Sequence, residues 1–133
     1  MKKILVLCTG NSCRSQMAES LINGYFRDNY QSLSAGTKPS KVNPYAIKSM
    51  AEIGIDISKN TSKYVDVFKN ESFDILITVC DNAKESCPVY FGKAVKYHWP
   101  FYDPAEAVGT EEEILKVFRD VRNEIFEKLK KEL

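Results

Sequence analysis

A short apolar run, Ile4 to Leu7, leads directly into Cys8-Thr9-Gly10-Asn11-Ser12-Cys13-Arg14-Ser15, and these residues have the types and spacing to do chemistry. A loop of this kind between a strand and a helix aims successive backbone N–H groups at one point, and the helix adds the positive end of its dipole. An oxyanion can be held there without a metal. The same field favours thiolate over thiol at Cys8, which makes it the candidate nucleophile. Arg14 closes the loop with a planar fork of donors suited to two oxygens of a tetrahedral anion. Gly10 and Asn11 tolerate the positive φ angles of a tight cradle. Ser15 can donate its hydroxyl hydrogen to the Cys8 sulfur. Thr9, Gly10, Asn11, Ser12, Cys13, Arg14 and Ser15 are therefore the predicted oxyanion-binding set. Cys13 has no required part in the chemistry and is expected to be a structural thiol. A cysteine ending an apolar strand is often only a core residue, but here the Gly-Asn turn, the Arg-Ser pair and the helical pattern sit where an anion loop needs them.

The elements that must position this loop follow from periodicity. Gln16 to Tyr30 carries Met17, Leu21, Ile22, Tyr25 and Phe26 at helical spacing, with polar residues opposite. Gln31 to Ala35 reads as a second strand and Gly36 to Asn43 as a loop. Asn43 can cap a helix with Pro44 at its first position, running past Ile53 to a stop at Gly54. Ile55 to Tyr64 is a mixed, polar loop before a short helix at Val65 to Asn70. Phe73 to Val79 is a near-continuous apolar run, as in a strand buried on both faces, and it delivers Cys80. Asp81 to Pro88 reads as a weak helix or loop, Lys93 to His98 as a fourth strand, and Pro100 to Gly109 as a loop holding Asp103-Pro104. Thr110 and Glu113 form a capping-box pair for a final helix with its stripe on Ile114, Leu115, Phe118, Val121, Ile125, Phe126 and Leu129. Strands alternating with helices predict an α/β fold: one doubly wound domain over residues 1–133, with a four-stranded parallel sheet flanked by helices. Ligands of such sheets bind beyond the carboxyl ends of the strands. Cys8, Cys80 and the loop after His98 all follow strands, so they should share one rim.

Composition narrows the function classes. The chain has 133 residues, enough for one core, and a formal net charge of +1, which gives no basic surface for nucleic acid. No run approaches the roughly 18 apolar residues of a membrane span. Lys2 and Lys3 imitate the start of a secretory signal, but the apolar run that follows is shorter than the usual h-region of about 7–15 residues. A cytoplasmic location is expected, where four cysteines are catalytic, redox-active or metal-binding rather than structural staples. Cys80 and Cys87, with no neighbouring Cys/His pair, make a poor zinc signature, so no metal site is predicted. A monomer is expected.

Cys8 to Ser15 resembles the active loop of the low-molecular-weight protein tyrosine phosphatase fold, and the remainder is similar to its thioredoxin-coupled arsenate reductase branch. Cys80, Cys87, His98-Trp99 and Asp103-Pro104-Ala105 carry the second likeness. Phosphatases of the fold have a proline soon after the Arg-Ser pair and tyrosines after the late Asp-Pro; Gln16 and Ala105-Glu106 stand here instead. The resemblance implies arsenate reduction for arsenic detoxification, with phosphate or sulfate as substrate mimics and thioredoxin as external reductant, and no bound cofactor. It gives Cys8 the attack on arsenic, Asp103 the proton for the leaving hydroxyl, and Cys80 then Cys87 the thiol-disulfide relay. It also implies support behind the loop. Some relatives bind potassium there through oxygen ligands, and the matching positions are Asn11, Glu19, Ser34 and Lys63. Lys63 departs from that set, and its ammonium is expected to pair with Glu19 in place of the cation; otherwise it is a solvated surface charge. Two other readings stay open: a phosphatase working through a phosphocysteine, with weak activity of that kind able to coexist with reduction, and a thiol sensor.

Overall fold

The computed structural model describes residues 1–80 and 93–133; the expected helix or loop at Asp81 to Pro88, with Cys87, lies outside the described residues. The four strands are β1 (Lys2–Cys8), β2 (Tyr30–Gly36), β3 (Ile75–Thr78) and β4 (Val95–His98), and the helices are α1 (Arg14–Tyr25), α2 (Pro44–Ala51) and α3 (Glu111–Glu132). Short 3-10 turns occupy Val65–Phe68 and Pro104–Glu106. All strands are parallel, in the order β2-β1-β3-β4.

β1 lies inside the sheet, and Ile4, Leu5, Val6 and Leu7 are wholly buried. Each such side chain contributes about 1.5–3 kcal/mol relative to exposure, which anchors the strand that ends in Cys8. Ile4 and Val6 share one core with Met17, Leu21 and Ile22 of α1, Ala46 and Met50 of α2, and Phe118, Ile125 and Leu129 of α3. Leu5 and Leu7 face the other way with Leu76 and Phe73, where Val65 and Phe68 pack on them. β1 and β3 are neighbours although the chain visits β2 between them. The strand order therefore reverses beside β1, and a crevice opens there at the carboxyl ends.

Several boundaries differ from the periodicity. α1 begins at Arg14 and ends at Tyr25 rather than Tyr30, because the N–H groups of Asn29 and Tyr30 both turn back to the Phe26 carbonyl. Its polar face is not solvated: Arg14, Ser15, Gln16 and Ser20 are buried, whereas Tyr25 is exposed. That face packs under the anion loop. α2 starts as expected, with the Asn43 side chain accepting from the Tyr45 N–H at 2.8 Å, but stops at Ala51. Gly54, at φ +82°, belongs to the turn beyond. β3 and β4 are shorter than their apolar runs. α3 carries the capping box, with both Thr110–Glu113 bonds at 3.2 Å. Among the described residues no helix is long and apolar enough to cross a membrane.

Candidate active site

The loop from Cys8 to Ser15 is held open by bonds on its outer side. The Thr9, Gly10 and Ser12 carbonyls accept from the N–H groups of Lys38 (2.8 Å), Ser40 (3.1 Å) and Asn43 (3.1 Å), and the Cys13 carbonyl accepts from Met17 (2.9 Å). With the carbonyls turned outward, the N–H groups are left to face the middle, which is the geometry of an anion cradle. The segment after β2 can lie this close because position 36 is glycine. A Cβ there would overlap the Thr9 carbonyl oxygen and sit 2.9 Å from the Asn11 nitrogen.

Cys8 forms the floor and is 2 % exposed. Its Sγ accepts the Asn11 N–H at 3.1 Å and lies 2.9 Å from Ser15 Oγ. The direction of the second bond follows from its neighbours. The Lys63 N–H can only donate, and it meets Asn11 Oδ1 at 2.8 Å, so Asn11 Nδ2 is the end that donates to Ser15 Oγ (2.8 Å) and Ser34 Oγ (2.9 Å). Ser15 then points its own hydrogen at sulfur. Ser34 donates onward to Glu19 Oε1 at 3.0 Å. Burial pushes the Glu19 carboxyl above its usual range, opposed by the Lys63 ammonium and the Ser34 bond. Asn11 holds φ +49° to make these contacts.

Arg14 stands on the wall, with Nη1 donating to the carbonyls of Phe101 (3.3 Å) and Val79 (3.5 Å) and Nη2 3.6 Å from Asp103 Oδ2. Asp103 Oδ1 accepts the Ala105 N–H at 3.0 Å. Cys8, Thr9, Gly10, Ser12, Cys13, Arg14, Ser40, Asp103 and Ala105 line a cavity of about 260 Å³. Cys13 is buried, and burial pushes its thiol up to about 12, against the pull of the Ser12 hydroxyl. It stays protonated at neutral pH. Cys80 follows β3, is fully buried and is engaged in a disulfide, whereas Cys8 and Cys13 are free thiols.

Residues 3–133 match the family described as low molecular weight phosphotyrosine protein phosphatase. The chain belongs to this family. Within it, the sequence is 47% identical to an arsenate reductase of Halalkalibacterium halodurans over 129 residues, 97% of this chain and 93% of the relative. The fold is similar to a solved arsenate reductase in the phosphate binding state, with TM-score 0.79 and 33% identity over 98% of this chain and 95% of that one. It is also similar to a thioredoxin-dependent arsenate reductase of Corynebacterium glutamicum, with TM-score 0.65 and 25% identity over all of this chain and 64% of that one.

The Cys8–Ser15 segment is brought together with Asp103 and with the strand end that carries Cys80. The Phe101 N–H reaches the Val79 carbonyl at 3.3 Å, which draws the Asp103 loop toward Arg14. Glu19 and Ser34 stand behind the loop, joined to Asn11 through the Ser34 hydroxyl. The Lys63 Nζ donates to the Thr61 carbonyl at 3.0 Å and its charge acts on Glu19 through space, while its backbone N–H holds Asn11. His98 pairs with Thr78 Oγ1 at 2.7 Å. Sequence reasoning missed Ser62, whose hydroxyl donates to the Asn11 carbonyl, and Asn60 and Thr61, which bond the Gln16 carboxamide beside the loop. Their only sequence signal was the polar character of Ile55–Tyr64. Among the described residues no cluster of His, Cys, Asp and Glu could hold a metal ion.

Proposed function

We propose that this protein reduces arsenate to arsenite, with Cys8 as nucleophile and Cys80 and Cys87 as the thiols that supply two electrons. The observation that carries the reading is a second cysteine, Cys80, one residue beyond the Val79 carbonyl that Arg14 touches. Phosphoryl transfer needs Cys8, Arg14 and Asp103 but has no use for a thiol there. The curated relatives named arsenate reductase support the same choice.

Arsenate enters the cradle with its oxygens toward the loop N–H groups and Arg14. Cys8 thiolate, steadied by Asn11 N–H and Ser15 Oγ, attacks arsenic, and a hydroxyl leaves as water on a proton from Asp103. In the reduced enzyme, with the Cys80 disulfide opened, the Cys80 thiolate then attacks the Cys8 sulfur. The S–As bonding pair stays on arsenic, which departs as arsenite, and a Cys8–Cys80 disulfide remains. Cys87 attacks Cys80, releasing Cys8 as thiolate, and thioredoxin reduces the Cys80–Cys87 bond. A thiol relay of this kind suits the reducing cytoplasm. Glu19, Ser34 and Lys63 support the loop from behind, with the Lys63 ammonium supplying the positive charge near Glu19. Equal activity in potassium and sodium at one ionic strength is expected; marked activation by potassium contradicts this part.

The deciding assay is NADPH oxidation by thioredoxin reductase and thioredoxin with this protein in phosphate-free buffer. Arsenate-dependent consumption that disappears in Cys80→Ser is expected. No consumption, with steady hydrolysis of an aryl phosphate, places the protein among the phosphatases instead.

A further inference from the structure

Gln16 sits in the first turn of α1 and has no solvent exposure. Burying a carboxamide is costly unless its atoms are bonded, and here every one is. Nε2 lies 3.2 Å from the Asn11 carbonyl, 3.1 Å from Asn11 Oδ1 and 3.1 Å from the Thr61 carbonyl. Two of these three are main-chain oxygens that only accept, so the nitrogen end must face them. Oε1 therefore turns to Asn60 Nδ2, at 3.2 Å. One side chain ties the helix, the anion loop and a segment more than forty residues away.

Asn11 is the residue on which these bonds converge. Among the described residues it is the only one other than glycine with positive φ, at +49°. Asparagine enters that region at less cost than most residues with a side chain, but it still stays there only where its surroundings hold it. Ser62 Oγ donates to the Asn11 carbonyl at 2.7 Å, the Lys63 N–H to Oδ1, and Gln16 to both oxygens. Gln16 alone of these donors stands on α1, beside Arg14 and Ser15. The left-handed turn is what aims the Asn11 N–H at Cys8 Sγ.

We propose that Gln16 is a positioning residue for the Cys8 nucleophile: its carboxamide fastens the left-handed turn at Asn11 to the 60–63 segment and so holds the Asn11 N–H on the Cys8 sulfur. The inference rests on Cys8 being the nucleophile, as in the proposed function, and not on the later thiol relay. Removing the carboxamide leaves the Ser62 and Lys63 donors on a segment no longer tied to α1. The Asn11 N–H then withdraws from the sulfur, and the nucleophile loses one of the two donors that hold it.

Gln16→Met preserves length and volume and removes both ends of the carboxamide. The readout is the rate at which iodoacetamide alkylates Cys8 in reduced protein, followed across pH by mass spectrometry of the peptide that carries it. Gln16→Met should react about tenfold more slowly than wild type near pH 6.5, with the gap closing at alkaline pH. Asn60→Ala, which keeps the Nε2 donors but frees the carboxamide at its far end, should fall between the two. In the arsenate assay kcat should fall more than KM rises. A folded Gln16→Met with the wild-type pH profile overturns the proposal, whatever its melting temperature. If Gln16→Met does not fold, Asn60→Ala decides: an unchanged profile overturns it and a shifted one sustains it. Wild-type protein that alkylates normally yet shows no arsenate reduction defeats the relay and leaves the Gln16 inference standing.

Discussion

At the scale of single residues, Asp103 and Glu19 differ in what their carboxyl groups are for. Asp103 is partly exposed and bonds the Ala105 N–H with one oxygen, leaving the other near Arg14. Asp103→Asn keeps the turn bond and loses the transferable proton. Its arsenate step should slow by roughly 10²–10⁴-fold, the usual yield of a positioned acid, while phosphate still inhibits at similar concentration. Single-turnover arsenite release measures the step, and an unchanged rate refutes the acid role. Glu19 is half-buried, and desolvation raises its carboxyl above the usual value. Its folded state therefore binds the proton more tightly than the unfolded chain, and ionised Glu19 costs stability once pH rises through the folded value. Glu19→Gln keeps an acceptor for Ser34 without that cost. It should melt at or above the wild-type temperature at neutral pH, with the gap closing as acid protonates Glu19; thermal melts across pH check the sign.

At the scale of elements, the loop depends on two segments that approach it from outside. Cys8, Asn11, Arg14 and Ser15 could be read from residue type and order, because the anion loop is local and each residue has one evident use. The Asn60–Lys63 support could not. Its bonds to Asn11 and Gln16 span 44 to 52 residues, and nothing in a polar loop tells which of its atoms face inward. The burial of the polar side of α1 was missed for the same reason, since periodicity marks apolar faces and cannot see polar atoms satisfied by tertiary partners. The long stripe and capping box of α3 were legible because both signals lie within the helix. Gly36 belongs to the tertiary class as well: its N–H bonds the Lys63 carbonyl at 2.8 Å, and its missing Cβ lets β2 pass beneath Thr9 and Asn11. Gly36→Ala should cost about 1–3 kcal/mol of stability from overpacking. It should also reduce kcat by about 10²-fold, because it displaces the loop directly. Denaturant titration and the arsenate assay measure the two effects; a stability loss with normal kcat shows that the loop tolerates the shift.

At the scale of the whole molecule, the arrangement poses a problem of access. Cys8 is 2 % exposed and Cys80 is fully buried, so a disulfide between them lies where no external protein can reach its sulfurs. Thiol-disulfide exchange requires in-line contact of the attacking thiolate with one sulfur, so the bond must be carried outward before thioredoxin can act. Cys13 is a poor carrier, since its thiol, pushed up to about 12, supplies almost no thiolate at neutral pH. Cys87 is the remaining cysteine. Cys87→Ser should therefore complete the chemistry once: one arsenite released per enzyme, Cys8 and Cys80 left joined, and no further turnover with thioredoxin. Arsenite counted against enzyme in a rapid-quench experiment, with peptide mapping of the disulfide, measures both parts. Sustained turnover would show that thioredoxin reaches Cys80 directly, which would require the buried rim to open during the cycle. A burst that requires Cys13, tested in the Cys13→Ala variant of the same protein, would move the carrier role into the anion loop itself.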